Sequence, residues 1–128
     1  MERFSFSHAG MRSDSSYTLT AEKTGGGWQA HFDLFCTQEF TIPMSQEDAD
    51  MLYGLLDACD LWGWNGFRKV DRIARDGESF RLNVSFADGQ KISASGSSRF
   101  PDDYGAAVNA VKAVFIQIME NNGMDNPF

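Results

Sequence analysis

Two histidines, two cysteines and scattered carboxylates and serines are the side chains in this sequence with the means to do chemistry. Their spacing decides which chemistry. His31 and Asp33 stand two apart in an alternating stretch, which puts both on one strand face with Gln29 and Phe35. An acid beside a histidine can orient a general base, but catalysis also needs a nucleophile and a charge-stabilising group, and the spacing supplies neither. The pair reads as part of a solvated strand face. His8 is a lone histidine in phase with Phe4 and Phe6, as a partly buried structural side chain would be. Asp57 and Asp60 lie three apart, but a divalent cation needs more oxygens than they offer. Ser93, Ser95, Ser97 and Ser98 surround Gly96 with no histidine at a motif-defined distance, so they read as a stretch that turns the chain. Gly25-Gly26-Gly27 leads into an alternating segment instead of a helix, which makes it a turn and not a phosphate cradle.

Cys36 and Cys59 form no zinc motif, because a structural site needs about four clustered ligands. Cys36 follows the phase of Trp28, Ala30, Phe32 and Leu34, and Cys59 that of Leu52, Leu55 and Leu56. Both are expected to face the core as reduced thiols, with a strand-to-helix disulfide as the alternative. No catalytic residue, metal ligand or cofactor-binding residue is assigned, and that weighs against an enzyme. The strongest candidate binding surface is aromatic: Trp62, Trp64 and Phe67 fall within seven residues that also hold two glycines. Such a segment can form a flat platform for a sugar or peptide, or fold back as a plug over the core.

The elements that must position these groups follow from periodicity. Residues 1–9 alternate as a short strand. Residues 16–22 and 28–36 alternate about the glycine turn as a hairpin, and Phe40 and Ile42 extend an edge that Pro43 is expected to stop. Ser45 with Glu47 and Asp48 opens a helix over about residues 46–60, its apolar stripe formed by Ala49, Leu52, Leu55 and Leu56. Residues 68–75 read as a weak strand. Asp76-Gly77 and Asp88-Gly89 are turns bracketing a second hairpin, with Phe80, Leu82, Val84 and Phe86 on one face and Ile92 and Ala94 returning. Pro101, Asp102 and Asp103 open a last helix striped by Ala107, Val108, Val111, Val114, Phe115 and Ile118, and Asn121-Asn122-Gly123 closes it. The expected fold is a two-layer α+β domain over residues 1–123, in the order hairpin, helix, hairpin, helix. Both amphipathic helices would pack on one face of an antiparallel sheet. Residues 124–128 are expected to fray.

Charge narrows the partners. The 128 residues carry a net charge of −7, and all of the excess acid lies in residues 1–64, which hold 3 Lys/Arg against 10 Asp/Glu. The one basic cluster, Arg68, Lys69, Arg72 and Arg75, is interrupted by Asp71 and followed by Asp76 and Glu78. Phosphate recognition needs a basic footprint, so neither nucleic acid nor an anionic membrane is expected. The longest run of apolar residues, Ala113 to Ile116, is far short of the roughly 20 a membrane helix requires, and no signal-like stretch follows Met1. A cytoplasmic protein is expected.

Residues 45 to about 118 carry a broader pattern: Trp64-Asn65-Gly66-Phe67 after a helix, Asp76-Gly77, the strand Phe80 to Phe86, Asp88-Gly89, Ile92, Gly96, then Phe100-Pro101 with Tyr104. This resembles small bacterial domains of unknown function, in which an aromatic strand pair leads through a glycine and an aromatic-proline pair into a closing helix. The resemblance implies that fold and brings no activity or cofactor. The expected function is a non-catalytic module that binds another protein or itself. A small-ligand or carbohydrate binder using Trp62, Trp64 and Phe67 is the alternative.

Overall fold

The computed structural model describes residues 1–10, 15–70 and 77–128. Among these the chain is α+β, with a seven-stranded, mostly antiparallel sheet and two helices. The strands are β1 (Arg3–Ala9), β2 (Tyr17–Thr24), β3 (Gly27–Leu34), β4 (Gln38–Met44), β5 (Arg68–Val70), β6 (Ser79–Ser85) and β7 (Lys91–Ser97), and the helices α1 (Gln46–Ala58) and α2 (Tyr104–Asn121). Their order across the sheet is β4-β3-β2-β1-β6-β7-β5. The two expected hairpins are therefore parts of one larger sheet. β1 joins them, pairing antiparallel with β2 on one side and β6 on the other. Arg68 to Val70 of the expected weak strand add a short parallel edge to β7. Asp71 to Arg75, together with Asp76 of the expected turn and Ser13 of the expected break after β1, lie outside the described residues.

Strand alternation is what makes one face of this sheet apolar. Phe4 and Phe6, Leu19 and Ala21, Ala30, Phe32 and Leu34, Phe80, Leu82 and Val84, and Ile92 and Ala94 are all buried, while their sequence neighbours carry Ser, Thr, Asn and charge. α2 adds Ala107, Val111, Val114, Phe115 and Ile118 to the same core. Phe115 lies edge-on to Phe32, ring centroids 5.6 Å apart, and 6.4 Å from Phe4. It thus reaches aromatic rings on both β1 and β3.

The helix ends show which local signals hold. Ser45 caps α1 as expected: its hydroxyl accepts from the Asp48 amide at 3.1 Å, and the Asp48 carboxylate accepts from the Ser45 amide at 3.4 Å. At the far end of α2 the Gly123 amide donates to Glu120 at 3.0 Å and the Met124 amide to Met119 at 2.9 Å, with Gly123 at φ 75°. The start of α2 differs. Pro101, Asp102 and Asp103 stand outside the helix, and Asp103 sits at φ 60° without a side-chain cap. The Phe100 and Tyr104 ring centroids lie 4.6 Å apart, and both rings also meet Phe80. Pro43, expected to end the edge, lies within β4, where an edge position leaves its missing amide without consequence.

Both cysteines are free, and they differ in exposure. β3 ends at Leu34, and Phe35 and Cys36 then take φ of 58° and 57°, so the alternation that pointed Cys36 inward stops two residues early. Cys36 is exposed, whereas Cys59 is half-buried. Two outcomes follow. A thiol reagent should label Cys36 rapidly in the native state and Cys59 slowly, both becoming fast in denaturant; equal native rates would refute the turn geometry. Phe115→Ala should cost about 3–5 kcal/mol in a denaturant titration, while Glu120→Ala, on the exposed side, should stay within about 0.5 kcal/mol.

Candidate functional site

Because the apolar residues of the strands all take one phase, the opposite phase builds a continuous polar face, and the strand register lays it out in rows. The first row runs Pro43, Gln29, Glu22, Arg3, Ser85, Lys91 from β4 to β7. A second holds Thr41, His31, Thr20, Ser5, Asn83 and Ser93, and a third Glu39, Asp33, Thr18, Ser7, Arg81, Ser95 and Arg68. These rows sort charge. Every carboxylate, Glu22, Asp33 and Glu39, lies on β2, β3 or β4. Every cation, Arg3, Arg68, Arg81 and Lys91, lies on β1, β5, β6 or β7.

The middle of the face is held by short hydrogen bonds. Ser5 and Thr20 hydroxyls are 3.2 Å apart, His31 Nδ1 lies 2.7 Å from Thr41 Oγ1, and Ser93 donates to Asn83 Oδ1 at 3.3 Å. The Arg68 guanidinium donates to the Ser93 carbonyl at 2.7 Å, to the Ser93 hydroxyl at 2.6 Å and to the Phe67 carbonyl at 2.9 Å. These bonds fix its direction, and among the described residues no carboxylate pairs with it. Among the described residues, neither Arg81 nor Lys91 has a carboxylate within 4 Å. A shallow depression of about 390 Å³ opens on the cationic side, floored by Ser7, Ser79, Arg81, Ser95 and Ser97 with Arg68 at its edge.

One arrangement here has the outline of catalytic machinery. His31 lies between Thr41 Oγ1 and Glu39 Oε1, the latter 3.0 Å from Nε2. Hydroxyl, imidazole and carboxylate thus stand in line, a relation that sequence reading missed because it paired His31 with Asp33 along the strand; Glu39 and Thr41 come from the neighbouring strand, and only the register brings them together. The group lies at the β3–β4 edge of the sheet. Acyl transfer would further require a substrate carbonyl held against Thr41 Oγ1 and donors aimed at the oxyanion formed on it, and the hydrogen bonds seen here join the three side chains to one another. Among the described residues no three His, Cys, Asp or Glu side chains cluster as metal ligands do.

The structure does not bring Trp62, Trp64 and Phe67 together. Leu61–Trp64 form a turn of 3-10 helix that turns Trp62 to Phe86, whereas Trp64 and Phe67 both reach Phe80. Trp62 stacks on Phe86 at 5.0 Å, and Phe86 also meets Tyr53. Trp64 is 6% exposed, between Phe80 at 5.7 Å and Tyr104 at 5.8 Å. Phe67 lies 5.8 Å from Phe80. No ring contact joins any two of the three.

His8 holds a separate position at the end of the core. Its Nδ1 is 2.8 Å from the Tyr104 hydroxyl, and both line a cleft of about 380 Å³ with Tyr17, Lys112 and Phe128. Lys112 is half-buried, its ammonium 4.9 Å from the centres of both the Tyr17 and Phe128 rings. Burial pushes the Tyr17 and Tyr104 hydroxyls up and the Lys112 ammonium down. In comparisons with known proteins, no family model and no curated protein matches the chain.

Burial also lowers His8 below its ordinary 6.5, with Glu78 opposing and Lys112 adding to the shift. The fold therefore holds His8 neutral where the unfolded chain already binds a proton. Its contribution to stability is complete above pH 6.5 and is lost as pH falls through 6.5 towards the lower folded value. Denaturant titrations across this window should show the native chain losing stability on acidification relative to His8→Gln. Parallel curves for the two proteins would contradict the assignment.

Proposed function

We propose that this chain is a non-catalytic module that binds another protein, or a second copy of itself, through the polar face of its sheet. The observation that carries the reading is the charge sorting of that face: three carboxylates on β2 to β4, four cations on β1, β5, β6 and β7, and Arg81 and Lys91 exposed without a carboxylate partner among the described residues. Separated patches of opposite sign set orientation and encounter rate in protein association. The reading takes the molecule as two layers, with α1 and α2 both against the apolar face. Its support is the contact of Phe115 with Phe4 and Phe32, the burial of Leu52 and Leu56, and the packing of α1 on α2. The polar face is then the side of the sheet left to meet a partner.

A carbohydrate or small-ligand site at Trp62, Trp64 and Phe67 has less to rest on, since Trp64 is buried against Phe80 and Trp62 stacks on Phe86 instead. Photo-crosslinking residues placed at Ser7 and Ser95 on the sheet face, and at Met51 and Tyr53 on α1, distinguish the surfaces. Crosslinks to protein, whether this chain or another, should form from the sheet positions. Crosslinks confined to Met51 and Tyr53, or absent from all four, would overturn the proposal.

A further inference from the structure

We infer that the occupant of the polar face is a second copy of this chain, packed face to face about a two-fold axis running along β1. The inference rests on the reading of that face as an interaction surface and names its partner. β1 is the middle of seven strands, with three on either side. A two-fold axis along the central strand lays β4 of one copy over β5 of the other, β3 over β7, and β2 over β6. That operation places the acidic half of each copy on the basic half of its mate, twice over, so the face is complementary to itself.

The rows make the match specific. In the third row Asp33 comes over Ser95 of the second copy, whose neighbours in that row are Arg81 and Arg68, and Glu39 comes over Arg68. In the first row Glu22 comes over Ser85, between Arg3 and Lys91. Each acid faces a cation or lands between two of them. The axis itself is lined by Arg3, Ser5 and Ser7: the serines, flanked by Thr18, Thr20 and Asn83, are small enough to let the sheets approach, and Arg3 of each copy, which meets its own mate at one end of the axis, has Glu22 beside it on β2. Seven strands span about 29 Å, and three rows with their margins about 20 Å. The face thus offers roughly 600 Å² per copy, or about 1,200 Å² in all, at the lower end of what specific complexes bury. A polar interface of that size predicts a reversible, salt-sensitive dimer.

Sedimentation equilibrium on the full chain tests this. The native protein should form a dimer whose dissociation constant rises at least about tenfold between low ionic strength and about 0.5 M salt, where screening falls to a few ångströms. Asp33→Lys with Glu22→Lys should be monomeric, and so should Arg81→Asp with Lys91→Asp. None of these four side chains makes a hydrogen bond within the described fold, and circular dichroism checks that each variant remains native. An equimolar mixture of the two doubly substituted proteins should form a heterodimer about this axis, since the positive halves of one then meet the negative halves of the other. The chain carrying all four reversals should recover the dimer, because its face is complementary to itself again. A native chain that stays monomeric, a dimer that survives either double reversal, or a fourfold variant that stays monomeric overturns the inference. If crosslinks from Ser7 and Ser95 still reach other proteins in that event, the interaction face stands and only the identity of its partner falls.

Discussion

The contact on which most of this fold depends is the approach of the chain to Gly96. Residues 98–100 fold back at the end of β7, and a Cβ on Gly96 would run into the Arg99 carbonyl and the Phe80 ring. Only glycine lets the crossover lie this close, and the closeness is what carries Phe100 and Tyr104 into the core. Tyr104 then lies within 6.2 Å of the rings of Phe6, His8, Trp64, Phe80 and Phe100. Because Tyr104 is also the first residue of α2, that aromatic cluster sets where the helix starts, and so where Val111, Phe115 and Ile118 come down. A buried phenol must be hydrogen-bonded, and His8, from the strand at the centre of the sheet, supplies the partner.

That arrangement uses the apolar phase of every long strand, leaving the other phase free of packing constraints and open to polar residues. The two phases remain coupled. A one-residue slip in any pairing would turn apolar side chains outward and scatter the rows of the polar face at once. Burial of Phe4, Phe6, Leu82 and Val84 therefore also holds Arg3, Ser5, Ser7, Arg81 and Asn83 in register. The core keeps the charge pattern in order without any of the charged groups contributing to the core.

Much of the fold was legible in local pattern because its signals are local. Period-two alternation marked the hairpins, Ser45 with Asp48 marked a helix start, and Asn122-Gly123 a helix end. What stayed hidden was whatever depends on which strand lies beside which. The central place of β1 is one case, since its partners β2 and β6 are both antiparallel and the second lies some 70 positions away in sequence. Cys36 is another: alternation continues through it in sequence, while the backbone turns left-handed at Phe35. The aromatic run at 61–67 gave composition without direction, and the 3-10 turn sends Trp62 and Trp64 to different neighbours. The sequence showed excess acid in its first half, but only the sheet order turns that asymmetry along the chain into one across a surface.

The same geometry is what the proposal of a recognition role for this face draws on. A reaction needs donors converging on one point in a site from which water is excluded, and that requires a concave wall. A sheet face instead spreads its groups about 4.8 Å apart across strands and about 7 Å apart along them, each directed outward. The Thr41, His31 and Glu39 alignment is an instance: three groups in hydrogen-bonded sequence on neighbouring strands of a sheet face. What such a lattice does well is present many weak polar contacts in fixed register, so that their sum depends on the order in which they are met. Charge sorted about a central strand then acts through arrangement more than through the strength of any single pair, since exposed ion pairs contribute only about 0–1 kcal/mol each.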